Sequence, residues 1–304
     1  MNNRELEKQQ LEEIKFLTAV ENIDRATSTV VENSVAIFLP FKRIDKTDIY
    51  NKVFLPNNQT LEIQNDLFDK VEIKGRILGQ GHKDILEILL SSDKIYSKKE
   101  KRFKVKETAT SLTKKLGRNI GKKKWIIQQL EEIAECRIKI SFQNDKNEYI
   151  TFNFGFIDSI IGINENELTI NFSSSYTYFL AEAELLEYSK YVDDIVMIDK
   201  HCREWSKKRK IKSHKINADF IKAVVRYMLQ HKGNNSQIKI DNLITKLNLH
   251  NLISHEQLKN YLTDLRREEV QVYLKEKFGI TLTANEKTIT FNTVENKQHY
   301  IVNK

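Results

Sequence analysis

The stretch from Phe103 to Glu135, FKVKETATSLTKKLGRNIGKKKWIIQQLEEIAE, limits the choice of folds more than any other in the chain. Phe103 and Val105 alternate with charged residues, the period of a half-buried strand. Thr108 to Leu116 then carries Ala109, Leu112 and Leu116 at helical spacing, and Gly117 stands where a helix end takes a left-handed residue. A second helix follows, with Ile126, Ile127, Leu130, Ile133 and Ala134 on one face. Beyond it Ile138, Ile140 and Phe142 alternate, as do Ile150, Phe152 and Phe154, on either side of the turn-prone QNDKNE. The pattern predicts strand, helix, tight turn, helix and β-hairpin. Taken alone, it fits a generic α+β fragment as well.

The last third of the chain repeats it. Ala218 to His231 reads as a helix, QIKI as a short strand, and Asp241 as the cap of NLITKLNL. Ser254 to Gln257 matches a capping box ahead of one long helix, LKNYLTDLRREEVQVYLKEKF, which Gly279 stops. ITLTANEKTITFN is a hairpin with Ala284 to Lys287 at its tip. Laid over the first unit, Val105 pairs with Ile240, Leu116 with Leu249 and Phe152 with Phe291, an offset of about 135 residues. Two copies at one spacing argue against a chance fragment. Helix-turn-helix followed by a hairpin is the winged-helix plan, used mainly to set a helix in the DNA major groove. The expected fold is α+β with two tandem winged-helix domains. Residues 1–30 read as a charged helix or arm and 31–175 as the first domain. Residues 176–215 read as a helical basic connector and 216–298 as the second domain.

Ahead of the first unit, SVAIFLP reads as a buried strand ended by Pro40, residues 41–60 as loop, and LEIQNDLFDKVEIKGRIL as one or two strands. HKDILEILLSS, with Ile85, Leu86, Leu89 and Leu90 apolar, is the opening helix of the unit. The charge is uneven. Residues 98–124 hold 12 Lys/Arg against Glu100 and Glu107, and residues 200–215 hold 8 against Glu204. With a total of +8, the rest of the chain is therefore acidic. Two basic blocks on an acidic body fit polyanion binding better than a solvated surface does, because one block falls on the helix-turn-helix. No apolar run is long enough for a membrane span, and the N-terminal MNNRELEKQQLEEIK is the opposite of a signal peptide. Two cysteines, Cys136 and Cys202, give neither a disulfide framework nor a zinc site. The expected location is cytoplasmic.

Asn65-Asp66-Leu67-Phe68, then Ile73-Lys74-Gly75-Arg76-Ile77-Leu78-Gly79-Gln80-Gly81-His82-Lys83-Asp84 and a helix, resembles the start of the first domain in plasmid replication initiators of the TrfA/RepA type. The resemblance spans roughly residues 60–295, rests mostly on architecture, and leaves residues 1–60 unmatched. It implies binding to direct repeats (iterons) in a plasmid origin, opening of an adjacent AT-rich segment, and help in loading the host helicase. The implied partners are double-stranded origin DNA, host replication proteins (helicase or its loader, initiator, sliding clamp) and a second copy in a monomer–dimer balance.

In the second domain's recognition helix, Leu258, Tyr261, Leu262 and Leu265 form one stripe, and Glu256, Lys259, Asn260, Thr263 and Arg267 the opposite face. Asn reads adenine, Arg reads guanine and Thr touches a thymine methyl. Arg266 and Lys246 suit phosphate contacts. In the first domain Lys122, Lys123 and Lys124 open the second helix, preceded by Lys114, Lys115 and Arg118. Lysine clusters are phosphate contacts rather than base readers. Trp125 lies off the apolar stripe, where it could be a dimer contact, a DNA contact or, as favoured here, packed under the connector. Lys207, Lys208, Arg209 and Lys210 suit a backbone-tracking segment between domains. For each of these the plain alternative is a solvated face. Gln64, Asp66, Leu67 and Phe68 resemble the short peptide by which bacterial proteins dock on the polymerase sliding clamp, without its Leu at the second position.

Enzymatic readings fare worse. Tyr191-Val192-Asp193-Asp194 matches a metal-binding polymerase motif that needs a hairpin, but its flanks read as helical. No His-x-His pair accompanies a nucleophilic Tyr, and Gly79-x-Gly81 lacks the rest of a phosphate loop. The sequence thus predicts a DNA-binding protein that is not an enzyme and needs no metal or cofactor. A regulator or partition factor of plasmid or phage origin is the alternative, and a divergent polymerase-like enzyme a weak one.

Overall fold

Strand register decides the architecture. The computed structural model describes residues 16, 18–41, 43–118, 123–143, 147–163, 166–209, 215–231, 236–283, 285 and 287–291. In chain order the elements are β1 (Ser28–Thr29), α1 (Val30–Ser34), β2 (Phe38–Leu39), β3 (Thr60–Ile63), β4 (Lys70–Lys74), β5 (Leu78–Gly79) and α2 (Gln80–Leu90). Then come β6 (Lys94–Ser97), β7 (Arg102–Thr108), α3 (Ala109–Lys115), α4 (Lys123–Glu135), β8 (Arg137–Gln143), β9 (Tyr149–Phe154), β10 (Ile157–Ile163) and β11 (Glu167–Phe172). The remainder is α5 (Ser174–Glu182), β12 (Leu185–Leu186), α6 (Ser189–Lys208), α7 (Ala218–Leu229), β13 (Ser236–Lys239) and α8 (Ile240–Lys246). It ends with α9 (Leu249–Leu252), α10 (His255–Leu265), α11 (Glu268–Phe278), β14 (Ile280–Leu282) and β15 (Thr288–Phe291). The class is α+β, with small sheets.

The internal repeat exists, in a register different from the one the sequence suggests. In the first unit β7 runs into α3 and pairs with β11, giving the order β7-β11-β10 with β6 added outside β7. In the second, β13 runs into α8 and pairs with β15, giving β13-β15-β14. The first residue of each following helix donates its N–H across the sheet in the same way, Ala109 to the Asn166 carbonyl and Ile240 to the Lys287 carbonyl, both at 2.9 Å. Each helix then ends at a left-handed residue, Gly117 (φ +59°) and Asn248 (φ +54°). The spacing is 131 residues by both pairs (109 to 240, 117 to 248) and 121 across the hairpins (167 to 288). Val105 therefore corresponds to Ser236, Leu116 to Leu247 and Phe291 to Ile170, not to Ile240, Leu249 and Phe152. The hairpin of the first unit is β10–β11. The alternating β8–β9 segment pairs with β4 instead, in the sheet β3-β4-β8-β9. Alternation marks a strand but not its neighbour, so the nearer hairpin was the wrong one.

Other boundaries also shift. The long helix expected after Ser254 breaks at Arg267, which is extended (ψ 137°) and caps α11. Residues 1–30 are not wholly an arm: Ile23, Ala26, Ser28 and Thr29 are buried, and β1 pairs with β12. Residues 41–60 are more than loop, since a wide helical turn over Ile49–Phe54 buries Ile49 and Phe54. In SVAIFLP the strand is confined to β2, which pairs in parallel with β5. Nor is α6 a mere connector. It packs on α2, α7 and α11, burying Val192, Ile195, Val196 and Ile198, and the apolar core runs continuously through both units. Among the described residues no helix is long and apolar enough to cross a membrane.

Candidate nucleic-acid interface

α10 is positioned from both ends. The Ser254 hydroxyl accepts the Gln257 N–H at 3.2 Å, and the Gln257 side chain accepts the Ser254 N–H at 3.1 Å, the capping box expected from sequence. Leu258 and Leu265 are buried beneath, and Tyr261 stacks on Phe220 with ring centroids 5.3 Å apart. This leaves Glu256, Lys259, Thr263 and Arg266 exposed along one stripe. Thr263 turns its hydroxyl back to the Lys259 carbonyl at 2.9 Å.

Two of the expected base readers are placed otherwise. Asn260 is half-buried and lines a recess of about 270 Å³ against Asp199, Cys202 and Asn217. Arg267 donates through Nε to Asp264 Oδ1 at 3.0 Å, and Asp264, wholly buried, accepts the Asn217 N–H at 3.0 Å. Arg267 thus ties α10 and α11 to the start of α7. The helix break turns it off the face that a continuous helix would have given it. Lys246 is half-exposed and reaches Asp66 Oδ2 at 2.7 Å, linking the two units.

In the first unit the basic residues divide. Lys114 and Lys124 are exposed and Lys123 half-buried, while Lys122 lies outside the described residues. Lys115 pairs with Glu107. Arg118 lies 5.3 Å above the Trp125 ring and 3.5 Å from Asp199 Oδ2 on α6, so both residues serve the seam between α4 and α6. Trp125 packs as expected. The rest of the outer face of α4, with Gln128, Glu131 and Glu135 exposed, is neutral to acidic. Below it Glu132 binds His82 Nε2 at 2.9 Å and Arg76 Nη2 at 2.8 Å. Partial burial raises that carboxyl, but the His82 and Arg76 contacts outweigh it and hold Glu132 down at about 2. This clamp fixes α4 to α2.

At the end of α6, Lys207 and Lys208 are exposed and Arg209 donates through Nη2 to Glu269 at 2.7 Å. Lys210 lies outside the described residues. The segment Gln64–Phe68 is a tight turn: Asn65 Oδ1 accepts the N–H groups of Leu67 and Phe68 at 2.9 and 2.8 Å. Gln64 accepts from Asn251 at 2.9 Å, Phe68 packs edge-on to Phe142 at 5.6 Å, and Leu67 is 51% exposed. Asp193 and Asp194 lie within helix α6, where successive side chains diverge, and Asp194 pairs with Lys277 at 3.2 Å. That is not the hairpin geometry of a polymerase motif.

The seam between the units holds residues the sequence reading missed. Arg226, 1% exposed, donates to Glu87 Oε1 and Oε2 (2.8 and 2.6 Å), Asp84 Oδ1 (2.7 Å) and Gln80 Oε1 (2.7 Å). Lys222 bridges Asp84 and Asp199, Tyr188 donates to Glu87, and Tyr176 to Glu32. Lys83 reaches the Glu32 carbonyl and Asn33, and burial lowers it from 10.5 to about 8. The Tyr176 and Tyr188 hydroxyls are pushed well up, first by burial and then by the nearby carboxylates. The signal was present: Lys222 and Arg226 stand four apart inside the apolar run ADFIKAVVRYML, and Asp84 and Glu87 share a face of α2. With this geometry in hand, comparison with family models, with curated proteins and with solved structures finds no match.

Proposed function

We propose that this chain is a sequence-specific binder of double-stranded DNA, built from two tandem winged-helix domains, that initiates plasmid replication at direct repeats of an origin. The observation that carries the reading is the repeat itself. Two strand–helix–turn–helix units close with the same cross-sheet hydrogen bond, and each has a hairpin pairing back on the strand that starts it. In the winged-helix plan the second long helix enters a major groove, a role that falls to α4 in the first unit and, beyond the short α9, to α10 in the second. On α10 the exposed stripe of Glu256, Lys259, Thr263 and Arg266 mixes base-reading and phosphate-contacting types. On α4, Lys123 and Lys124 with Lys114 suit phosphate alone. The second unit then selects sequence and the first anchors it. The resemblance over residues 60–295 to plasmid initiators supplies the origin, the host helicase machinery and self-association as partners, and a cytoplasmic setting goes with them.

Hydroxyl-radical footprinting on the direct repeats beside the gene tests this. Two protected patches about one helical turn (~10 base pairs) apart on one face of each repeat are expected. A variant with Lys259 and Arg266 replaced by Ala should lose the α10 patch first. A single uniform protection that ignores the repeats would overturn the reading.

A further inference from the structure

We infer that the outer face of the sheet β6-β7-β11-β10 is a docking surface for an acidic, amphipathic segment of a partner protein. α3 and α4 pack on the side of this sheet that carries Phe103, Val105, Leu168 and Ile170, all buried. On the other side Lys106 and Ile161 are exposed, Lys104, Thr169 and Ser159 half-buried, and Asn171 buried. Register places Ile95, Lys104, Asn171 and Ser159 in one row across the four strands and Lys106, Thr169 and Ile161 in the next. Ile95 and Ile161 are 47% and 53% exposed, on the two edge strands, with the lysines between them. Lys98, Lys99 and Lys101 crowd the β6–β7 turn, and none of these five lysines has an ion pair among the described residues. Arg102, by contrast, is held by Glu100 and Asp158.

The second unit is an internal control. Its matching row is Gln237, Thr290 and Thr281, so Gln237 stands where Lys106 does and Thr281 where Ile161 does. Folding this sheet therefore needs neither the exposed isoleucine nor the lysine. The first unit also adds β6, which the second lacks among its described residues. Duplex DNA explains the lysines but not the isoleucines. The lysine turn also lies at the far end of β7 from the β10–β11 turn, about 20 Å away at ~3.3 Å per residue. Apolar anchors at both edges with cations between them complement a segment that alternates apolar and acidic side chains, laid across the sheet or added beside β6.

The test is fluorescence polarisation of the full chain with a labelled synthetic peptide of about 15 residues alternating Leu and Glu, against one alternating Ser and Glu. The wild type should prefer the Leu–Glu peptide. The variant I95T/K104Q/K106Q/I161T, whose changes at Lys106 and Ile161 follow the second unit, should bind it at least about tenfold more weakly with an unchanged melting temperature. The pairs I95T/I161T and K104Q/K106Q should each fall between. Equal binding of both peptides, no binding, or binding indifferent to the variant overturns the inference. So does displacement of the peptide by repeat-free duplex DNA, or a dimer of the wild type that the variant abolishes, since the face would then take DNA or a second copy. Affinity of the same variant for the direct repeats is read separately, so failure of the DNA reading leaves this result standing.

Discussion

Arg226→Met removes the guanidinium at the centre of the seam between the two units. Four hydrogen bonds vanish, and Asp84 and Glu87, 2% and 1% exposed, lose their main counter-charge. Breaking one side of a buried ion pair costs about 3–5 kcal/mol, because the stranded charge keeps its desolvation penalty. Lys222 still reaches Asp84 and Tyr188 still donates to Glu87, so the lower end, about 3 kcal/mol, applies here. For a chain of 304 residues that is a fall in Tm of roughly 5 °C. Differential scanning calorimetry should show one transition for the wild type, whose core is continuous, and a lowered, broadened or split one for the variant. Lys52→Ala, which breaks a pair 72% and 85% exposed, is the control and should change stability by less than about 0.5 kcal/mol. A drop for Arg226→Met below about 2 °C would refute the account of the seam.

Other outcomes follow from the same structure. Burial lowers Lys83 and Lys94 to about 8, so the unfolded chain holds those protons to higher pH. Stability should therefore rise from about pH 8 to 9.5, a rise that Lys83→Met roughly halves in urea titrations. Above pH 10 the buried tyrosines, raised in the fold, should reverse the trend. Gly75 has φ +78°, and a Cβ there would sit 2.5 Å from the Glu135 carbonyl oxygen. Gly75→Ala should thus cost well over about 1 kcal/mol by thermal melting. Gly117→Ala meets only Met197 Sδ at 3.7 Å and should cost about 1 kcal/mol. Lys259→Ala, without moving Tm, and Arg266→Ala should each weaken binding to the direct repeats by about 1–3 kcal/mol. Arg267→Ala should lower Tm, since the buried Asp264 loses its contact with the Arg267 guanidinium.

What the sequence made legible was local. The strand at Phe103 and Val105, the cap at Ser254, the stops at Gly117 and Gly279 and the apolar stripes of α4 and α10 are written in nearest-neighbour chemistry. Pairing is not. β8–β9 and β10–β11 both alternate, and only the partner strand, β4 or β7, tells them apart. The break at Arg267 was hidden because Arg and Glu are good helix formers, and it is the buried Asp264 that draws the side chain back. The basic block at 98–124 looked like one feature and is two, a lysine-rich β6–β7 turn and the helices α3 and α4. The buried charges of α2 and α7 pair only because the two helices face each other, which neither helix's own residues dictate.

The most direct test of the central claim is a mobility-shift titration of the full chain on the direct repeats flanking its gene, at about 0.15 M salt with a scrambled duplex as competitor. Stepwise complexes, one per repeat and preferred at least ~10³-fold over the competitor, are the expected result. Weak, salt-sensitive binding with no preference among sequences would contradict it.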